Sequence, residues 1–522
     1  MARGKKRARA DGGDAPSAPV PPPALMVVEE GAVRCVASSR AASAPGSAPG
    51  FFNPKMRVNR DMSVAAVAAA AEFHPPDLLP MRCLDAFASS GVLALRWAAE
   101  CGAPLRIVVN DASDVCARMA DENARAFASA AAGDAAEDPR PENVPLDVPA
   151  EDAPDDADAP LPPPIFPTRT LPGTRCTLAV HRRRADALLH DAGERFHFVH
   201  LDPFGSVAPH LDAALARAPH GSILSLTATD TAALYGVYPG VARRRYRAET
   251  QPRPPWFREL GVRILVAAVA AAAARHERGV ARVLCAAYHE HFMQVVVRVE
   301  RGGTAADASV DQNAVGPLWR CDACELDAAG GEAPCEHAVA LGPGWVRPLG
   351  DAAFLRKMAQ MSRERVGRRF GRGDGMRTGK GDRENGDGDG KNGDGKKGEV
   401  DGDGDKHTAG GEDVEIATAP PPRTTKASTT TRLLDRLAEE ADGPPLFRLA
   451  SRYAASGGGL PPMDALTERL RGEGFRASRT HYHPTGIRTD APASALRDAV
   501  ATLAREIEAA KGNGANDTAR GV

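Results

Sequence analysis

The chain has no apolar run long enough to cross a membrane, and its longest, from Ile264 to Ala274, is alanine-rich and flanked by arginines. No secretory signal is visible. Cysteines are few, nine in 522 residues, and only three of them lie close together. This usage argues against a disulfide framework and indicates a reducing compartment. We therefore expect neither a membrane-spanning nor a secreted protein.

Net charge is also nearly absent, at −2, but the charges are unevenly distributed. Residues 133–160 contain ten acids and one arginine, and residues 371–415 contain thirteen acids and eight bases. The remainder therefore carries a net charge of +12, which fits a polyanionic partner. The basic cluster from Met1 to Arg9 predicts a nuclear location, although it fits a solvated tail equally well. A mitochondrial or plastid pool stays open.

Composition divides the chain into parts that fold and parts that do not. Stretches rich in Ala, Pro, Gly, Asp and Lys cannot bury enough apolar surface to fold. The predicted parts are a disordered tail at 1–25, a sheet domain at 26–310 with a disordered insertion at 132–170, a cysteine-containing connector at 311–370, a low-complexity linker at 371–428 and a C-terminal domain at 429–510.

Within the sheet domain, short apolar runs alternate with helical stretches, which is the pattern of βαβ units in a parallel sheet. The predicted parallel strands are 81–87, 105–109, 177–181, 196–201 and 222–227. The predicted helices are 63–72, 92–101, 113–127 and 262–276. Two further runs, 281–288 and 292–300, predict a hairpin at the far edge of the sheet. The sequence therefore predicts an α/β fold.

The apolar run that starts at Phe196 ends in Asp202, Pro203 and Phe204, followed by a glycine. In open α/β sheets, ligand chemistry lies at the carboxyl ends of the strands. A carboxylate, a rigid backbone carbonyl and a flat ring at one strand end suit a planar base with an exocyclic amine. The alternative is an ordinary Asp-Pro turn after a strand.

Acids follow the ends of four predicted strands, at Asp85, Asp111, Asp186 and Asp202. An acid near the second strand end can accept hydrogen bonds from ribose hydroxyls, and one after the third can reach an adenine amine. Each acid alone fits a helix cap or a turn residue better than a cofactor contact. The first loop is poor in glycine, whereas a dinucleotide needs a glycine-rich loop for its pyrophosphate. The set therefore favours a nucleoside cofactor without phosphates, S-adenosylmethionine.

Blocks of sequence over roughly 25–370 and 430–500 resemble the tRNA (guanine-26 N2) dimethyltransferase family. The matching blocks are Phe52-Asn-Pro-Lys-Met56 with Asn59-Arg-Asp61, Leu84-Asp-Ala86 with Gly91, Asn110-Asp111, Asp202-Pro-Phe-Gly-Ser206, Thr227-Ala-Thr-Asp-Thr231, Gly236-x-Tyr-Pro239, Gly342-Pro-x-Trp345 and Arg479-Thr-His-Tyr-x-Pro-Thr-Gly-Ile487.

The resemblance implies a class I methyltransferase domain with a Rossmann-like sheet, joined to a C-terminal α+β domain that binds tRNA. It also implies transfer of methyl groups from S-adenosylmethionine to the 2-amino group of a guanosine, at position 26, giving N2,N2-dimethylguanosine. No obligate protein partner is inferred. Another exocyclic-amine methyltransferase, such as an adenine N6 enzyme, and a non-catalytic tRNA-binding relative are the alternatives.

The resemblance also implies roles for individual residues. Asp202 matches the catalytic aspartate of the family, whose carboxylate acts as general base. The residues assigned to the cofactor are Arg60, Asp85, Gly91, Asp111 and Asp186. Those assigned to the substrate are Pro203, Phe204, Thr229, Asp230, Arg479 and His481. The last two belong to a C-terminal stretch in which arginines and ring side chains interleave, a pattern that suits phosphate contact and stacking.

The sequence departs from the family pattern in three places. Ser89 and Ser90 replace the usual Gly-Thr pair, and Leu93 replaces a customary arginine. The third strand ends in three arginines rather than in an acidic pair. Either Asp186 or the backbone near Ala185 is therefore expected to meet the adenine.

The connector holds Cys321 and Cys324 in a Cys-x-x-Cys turn, followed by Cys335 and His337. Four such ligands satisfy tetrahedral zinc and leave no open coordination position, which predicts a structural ion. The second pair has a tighter spacing than usual. The alternative is three reduced cysteines beside a surface histidine.

Overall fold

The computed structural model describes residues 25–38, 50, 52–132, 139–141, 144, 166–191, 193, 195–371, 428–454 and 459–518, without the side chains of 366–371 and 510–518. Most of the predicted tail, insertion and linker lies outside the described residues. The basic cluster near the start of the chain lies outside them as well.

A mixed sheet of eight strands organises the first domain, in the order β5-β6-β4-β3-β7-β8-β10-β9. Its strands are β3 (Met81–Asp85), β4 (Leu105–Asp111), β5 (Arg169–Leu171), β6 (Cys176–Arg182), β7 (Phe198–Leu201), β8 (Ile223–Ala228), β9 (Arg278–His289) and β10 (Phe292–Arg301). The five predicted strands pair in parallel, and β9 and β10 form the predicted edge hairpin. The α/β fold is therefore confirmed.

Helices cover both faces of this sheet because successive residues of its strands point to opposite sides. The first group of helices is α1 (Arg57–Glu72), α2 (Val92–Glu100) and α3 (Asp114–Ala132). The second group is α4 (Ala185–His190), α5 (Leu211–Ala216), α6 (Thr231–Leu234), α7 (Pro239–Tyr246) and α8 (Phe257–Ala274). Cys83 packs into one apolar core with the first group, and its neighbour Leu84 packs into the other core with the second group.

Two elements extend further than the sequence indicates. Helix α1 begins at Arg57, ahead of the predicted start at residue 63, because a short helical turn capped by the Asn53 side chain leads directly into it. Strand β5 occupies residues within the predicted disordered insertion. The Arg169 guanidinium pairs with Asp121 on α3 at 2.7 Å, and Leu171 is fully buried, so this end of the insertion is held on the sheet.

The remaining elements surround the sheet domain. A hairpin of β1 (Leu25–Glu30) and β2 (Val33–Ser38) packs on α2 and α3. After α9 (Gly303–Val310), a second sheet forms from β11 (Val315–Cys321), β12 (Leu326–Ala329) and β13 (Val339–Trp345). Among the described residues, no helix is both long and apolar enough to cross a membrane.

The C-terminal part contains a three-stranded sheet and packs closely on the first domain. Its elements are α11 (Thr429–Glu440), β14 (Arg448–Leu449), α12 (Met463–Gly472), β15 (Ala477–Arg479), β16 (Gly486–Thr489) and α13 (Ala493–Thr518), preceded by α10 (Ala352–Gly371). Helix α11 contacts α10 and α1. The buried Arg488 guanidinium pairs with the buried Glu259 carboxylate of α8 at 3.0 Å.

Candidate active site

An open cleft of about 1000 Å³ lies at the carboxyl ends of β3 and β7, where parallel α/β sheets place their ligands. Six of the residues assigned from sequence come from four separate segments of the chain and line this cleft together: Arg60, Asp85, Asp202, Pro203, Phe204 and Thr229. The remaining lining residues include Phe52, Asn53, Met56, Phe87, Ala88, Ser89, Ser90, His200 and His291.

Two carboxyl groups dominate the electrostatics of the cleft. Burial raises the pKa of Asp202 to about 7, and the nearby Arg60 guanidinium partly opposes that increase. Burial, together with the charges of Asp202 and Asp111, raises the pKa of Asp85 to about 8. One Asp85 oxygen is buried without a hydrogen-bond partner among the described residues. The cleft therefore offers acceptor oxygens that can take up a proton or a cationic ligand at neutral pH.

Arg60 is held in place from behind by an acid that the sequence analysis missed. Its guanidinium makes a bidentate pair with Glu30 of β1 at 2.7 and 2.5 Å, and it donates to the Asn53 carbonyl at 3.1 Å. The Phe52 ring lies 4.7 Å from the guanidinium carbon. Glu30 is the buried last residue of the first strand. The sequence signal that could have revealed it is an acid between a short apolar run and Gly31.

Asp111 braces the cleft wall and is not among the residues that line the cleft. Its carboxylate accepts hydrogen bonds from the backbone N–H groups of Ser89 and Ser113, both at 2.9 Å. Burial raises its pKa, against the effect of those hydrogen bonds. The predicted Gly91 starts α2 with φ +74°, where a β-carbon would meet Ala120 at 3.1 Å. A side chain at Gly91 would therefore disturb this loop.

The two substrate loops are hydrogen-bonded to each other. The Thr229 hydroxyl accepts from the Gly205 N–H at 2.9 Å, and the Thr229 N–H donates to the Gly205 carbonyl at 2.8 Å. Phe204 extends from this junction with 68% of its surface exposed. The Asp230 carboxylate does not reach the cleft, because it accepts from the Tyr246 hydroxyl at 2.9 Å and pairs with Arg245. Asp230 therefore supports the loops.

Asp186 is also absent from the residues that line the cleft. Its carboxylate pairs with His210 Nδ1 at 2.7 Å, and that bond is the main cause of its lowered pKa. The Phe87 ring, which does line the cleft, meets the His210 ring edge-on at 4.9 Å. The Asp186–His210 pair thus supports a cleft aromatic, so we favour the backbone near Ala185 over the Asp186 carboxylate as the adenine contact.

A buried polar layer beneath the cleft also escaped the sequence analysis. His200 lies on β7 and contacts the Ser225 and Ser63 hydroxyls at 3.1 and 3.4 Å. Burial lowers its pKa to about 3, so the ring is neutral. The sequence signal that could have revealed His200 is a polar residue within the apolar run that precedes Asp202. His291 also lines the cleft, from the turn between β9 and β10.

The two substrate residues assigned in the C-terminal domain lie away from the cleft. Arg479 is part-buried and pairs with Asp464 at 3.2 Å. The His481 side chain is 4% exposed and is hydrogen-bonded to Glu440, which also binds Thr480. The loop turns inward because Glu440 is a buried carboxylate that requires several donors. We therefore do not retain His481 as a tRNA contact.

The three connector cysteines converge in space. The sulfurs of Cys321, Cys324 and Cys335 lie within 4.8 Å of one another, and His337 Nδ1 lies 3.9 Å from the Cys324 sulfur. The Cys324 backbone N–H lowers the pKa of the Cys321 thiol, which favours a thiolate there. This donor set fits the preference of zinc for sulfur and imidazole nitrogen.

The cleft also fits S-adenosylmethionine in chemistry. A sulfonium is a cation, and the unpartnered oxygen of Asp85 together with Asp202 gives the cleft acceptor oxygens. Phe52, Met56 and Phe87 supply apolar and aromatic surface for a nucleoside. Among the described residues, no glycine-rich loop for a pyrophosphate borders the cleft, which agrees with a cofactor that has no phosphates.

Comparison with known proteins gives a consistent picture. The chain is 30% identical over 485 residues to the tRNA (guanine(27)-N(2))-dimethyltransferase of Mus musculus, covering 86% of this chain and 60% of that protein. It is 26% identical over 468 residues to the tRNA (guanine(26)-N(2))-dimethyltransferase of Thermococcus kodakarensis, covering 90% and 96%. The chain thus spans about 60% of the length of the mammalian relatives and nearly all of the archaeal one.

Among solved structures, Trm1 from Pyrococcus horikoshii, determined in complex with S-adenosyl-L-methionine, shares the fold. Its TM-score is 0.60 at 23% identity, and the match covers 91% of this chain and all of that one. The sequence also matches the family model described as N2,N2-dimethylguanosine tRNA methyltransferase over residues 31–135, 171–374 and 411–501. Because that match extends over most of the sequence, the chain belongs to the N2,N2-dimethylguanosine tRNA methyltransferase family.

Proposed function

We propose that this chain transfers methyl groups from S-adenosylmethionine to the 2-amino group of a guanosine in tRNA. The observation that carries the proposal is the position of Asp202, a carboxylate with a pKa of about 7 that faces the same cleft as Arg60 and Asp85. A general base works best when its pKa lies near the operating pH. Phe204 projects beside Asp202 as a surface for the base.

The residues act on the amine in defined ways. A guanine amine is a poor nucleophile because its lone pair is delocalised into the ring. Asp202 accepts a proton from it and Pro203 offers a carbonyl acceptor, so the lone pair localises on nitrogen. Such general-base help is worth ~10²–10⁴-fold in rate. When bound, S-adenosylmethionine supplies an electrophilic methyl group on a sulfonium.

The two alternative functions have less support. A non-catalytic tRNA-binding relative would have no need of the carboxylate cleft that Glu30 and Asp111 brace. For an adenine N6 enzyme, the loop after Asp202 would be expected to carry a second proline and an aromatic residue, whereas this chain has Phe204 and Gly205.

The test is a nucleoside analysis. Full-length protein is incubated with labelled S-adenosylmethionine and unmodified tRNA, and the product is digested to nucleosides. We expect label in N2-methylated guanosine. Transcripts with guanosine 26 or guanosine 27 replaced distinguish the two positions that the relatives' names carry, and we propose position 26. Label in adenosine, or no transfer from a protein that binds the cofactor, would overturn the proposal.

We also propose that Cys321, Cys324, Cys335 and His337 hold a structural zinc ion. The ion would secure the turn between β11 and β12, where few apolar side chains are buried. About one zinc per chain is expected in protein purified without chelator, with a lower Tm in the Cys321→Ser/Cys324→Ser variant. Metal-free protein of unchanged Tm would mean that the cysteines are simply reduced thiols.

The domain roles and location remain proposals too. We propose that residues 429–510 form a tRNA-binding domain, with Arg476, which pairs with Asp490, and Arg479, which pairs with Asp464, among its solvent-facing cations. We propose a nuclear location from the basic cluster Met1 to Arg9. A fluorescent fusion that keeps its distribution when Arg3, Lys5, Lys6, Arg7 and Arg9 are replaced by alanine would refute that proposal.

A further inference from the structure

Helix α7 is a basic helix fixed to the edge of the cleft. The Tyr246 hydroxyl contacts Asp230 at 2.9 Å and the Ser206 hydroxyl at 2.8 Å. Ser206 follows Phe204 by two residues, and Asp230 directly follows Thr229. One side chain of α7 therefore connects the helix to both loops that line the substrate side of the cleft.

Three arginines lie in this helix and a fourth, Arg247, directly follows it, and acids hold two of the four. Arg243 pairs with Glu249 at 2.5 Å, and Arg245 pairs with Asp230 at 2.9 Å. Arg244 and Arg247 are exposed, and among the described residues neither has an acidic partner within ion-pair distance. A helix dipole favours cations in the last turn, which is one reason for basic residues here. The dipole does not account for the apolar side chains that are exposed just before the helix and in the loop to which Tyr246 connects it.

Those apolar side chains are Val237 and Tyr238, at 53% and 60% exposed, and Phe204 at 68%. The Tyr238 N–H donates to the Ala232 carbonyl at 3.2 Å, three residues beyond the cleft residue Thr229. Exposed rings interleaved with arginines are typical of surfaces that contact nucleic acid, where cations meet phosphates and rings stack on bases.

We infer that Tyr238, Arg244 and Arg247 form a docking surface for the RNA strand around the target guanosine. This inference rests on the proposed function and deepens it, because it gives the sheet domain its own tRNA contact. Arg244 and Arg247 bind backbone phosphates. Tyr238 stacks on a neighbouring base, which loses a stacking partner when the target base leaves the helix. The surface thus brings the substrate to Asp202 independently of the C-terminal domain.

The sheet supplies a matched control at its opposite end. Strand β10 runs antiparallel to β8, so that Met293 pairs with Ala228 near the cleft and Arg298 pairs with Ile223 at the far end. Arg298 and Arg301 are both exposed there. Their replacement removes the same charge as replacement of Arg244 and Arg247, at a site remote from the cleft.

The experiment measures tRNA affinity of full-length protein over a range of salt concentrations. The Arg244→Ala/Arg247→Ala variant is expected to bind unmodified tRNA about tenfold more weakly at low salt, with a log–log salt slope smaller by about two. The Tyr238→Ala variant is expected to lose about tenfold without a change in salt slope. The Arg298→Ala/Arg301→Ala control, cofactor affinity and Tm are expected to match the wild type.

Two results would overturn the inference. One is tRNA affinity and salt slope of the Arg244→Ala/Arg247→Ala variant equal to those of the control variant. The other is a Tyr238→Ala variant that binds tRNA as wild type does. Failure of the wild-type protein itself to bind or methylate tRNA would instead refute the proposed function, so the two failures are distinguishable.

Discussion

Replacement of Asp202 by asparagine separates proton acceptance from every other role of this residue. Asparagine has nearly the same size and keeps a carbonyl acceptor, but it cannot take a proton from the amine. Because general-base help contributes ~10²–10⁴-fold, kcat should fall by that factor. Affinity for cofactor and for tRNA should change little, since proton transfer develops only in the transition state.

The pH dependence gives an independent measure of the same group. With the pKa of Asp202 at about 7, wild-type kcat/KM should rise with pH through about 7 and then level off. Asp85, with a pKa of about 8, is coupled to it, so the inflection belongs to the pair of carboxyl groups. In the Asp202→Asn variant the residual activity should lose this inflection.

Stability should move in the opposite direction to activity. The folded-state pKa of about 7 lies above the ordinary value of 3.8, so the folded protein binds more protons than the unfolded chain between these values. The wild type therefore loses stability as pH rises from about 4 to about 7, whereas asparagine does not titrate. The Tm of Asp202→Asn minus that of wild type should increase over this range and stay constant above it.

The assays are single-turnover methylation, cofactor titration and thermal unfolding at several pH values. The control is Asp212→Asn, which changes an exposed acid of α5 that pairs with Arg275 and does not line the cleft. An Asp202→Asn variant that retains more than a tenth of wild-type kcat would refute the assignment of Asp202 as the base. A Tm difference that is flat between pH 4 and pH 7 would refute the raised pKa.

Three further changes test the surroundings of the cleft. Asp111→Ala should weaken cofactor binding by about 1–3 kcal/mol in calorimetry, because the Ser89 loop that lines the cleft loses the charged acceptor of its backbone N–H. Unchanged affinity would show that this brace does not support the cofactor site. Tyr246→Phe should lower kcat about tenfold with cofactor affinity unchanged, because Asp230 and Ser206 lose their shared hydroxyl; wild-type kcat would contradict this. Arg488→Leu should cost about 3–5 kcal/mol of unfolding free energy by removing the guanidinium that pairs with the buried carboxylates of Glu259 and Glu440, and wild-type stability would contradict it.

The strand ends were predictable because each depends on a local pattern. An apolar run followed by an acid fixes both the strand and the place where its acid appears, which is why Asp85 and Asp202 meet at the cleft as expected. A local sequence pattern does not specify which hydrogen-bond or ion-pair partner a side chain has in the folded protein. Asp186 and Asp230 look equivalent to the cleft acids in sequence, yet one is occupied by His210 and the other by Tyr246.

The C-terminal stretch from Arg476 to Arg488 shows the same limit. Its arginines and rings suggest a surface that contacts RNA, but Tyr482 and Arg488 are fully or nearly fully buried. The deciding residue is Glu440, which lies about forty residues earlier and accepts from Thr480 and Arg488. Burial removes these charges from water, so each requires a charged or hydrogen-bonding partner inside the protein. The spacing and periodicity of a sequence do not predict pairing between residues so far apart in the chain.

A buried ion network connects the C-terminal part to the cleft. Glu30 binds Arg60 on its cleft side and Arg96 at 2.8 Å on the other. Arg96 in turn binds Asp61 at 2.5 Å, and Asp61 accepts from the Thr430 hydroxyl of α11 at 3.1 Å. These groups are shielded from water, so their pairing is weakly screened and depends on all members being present. The orientation of the cleft arginine therefore depends on a helix that the chain reaches only after its long low-complexity segment.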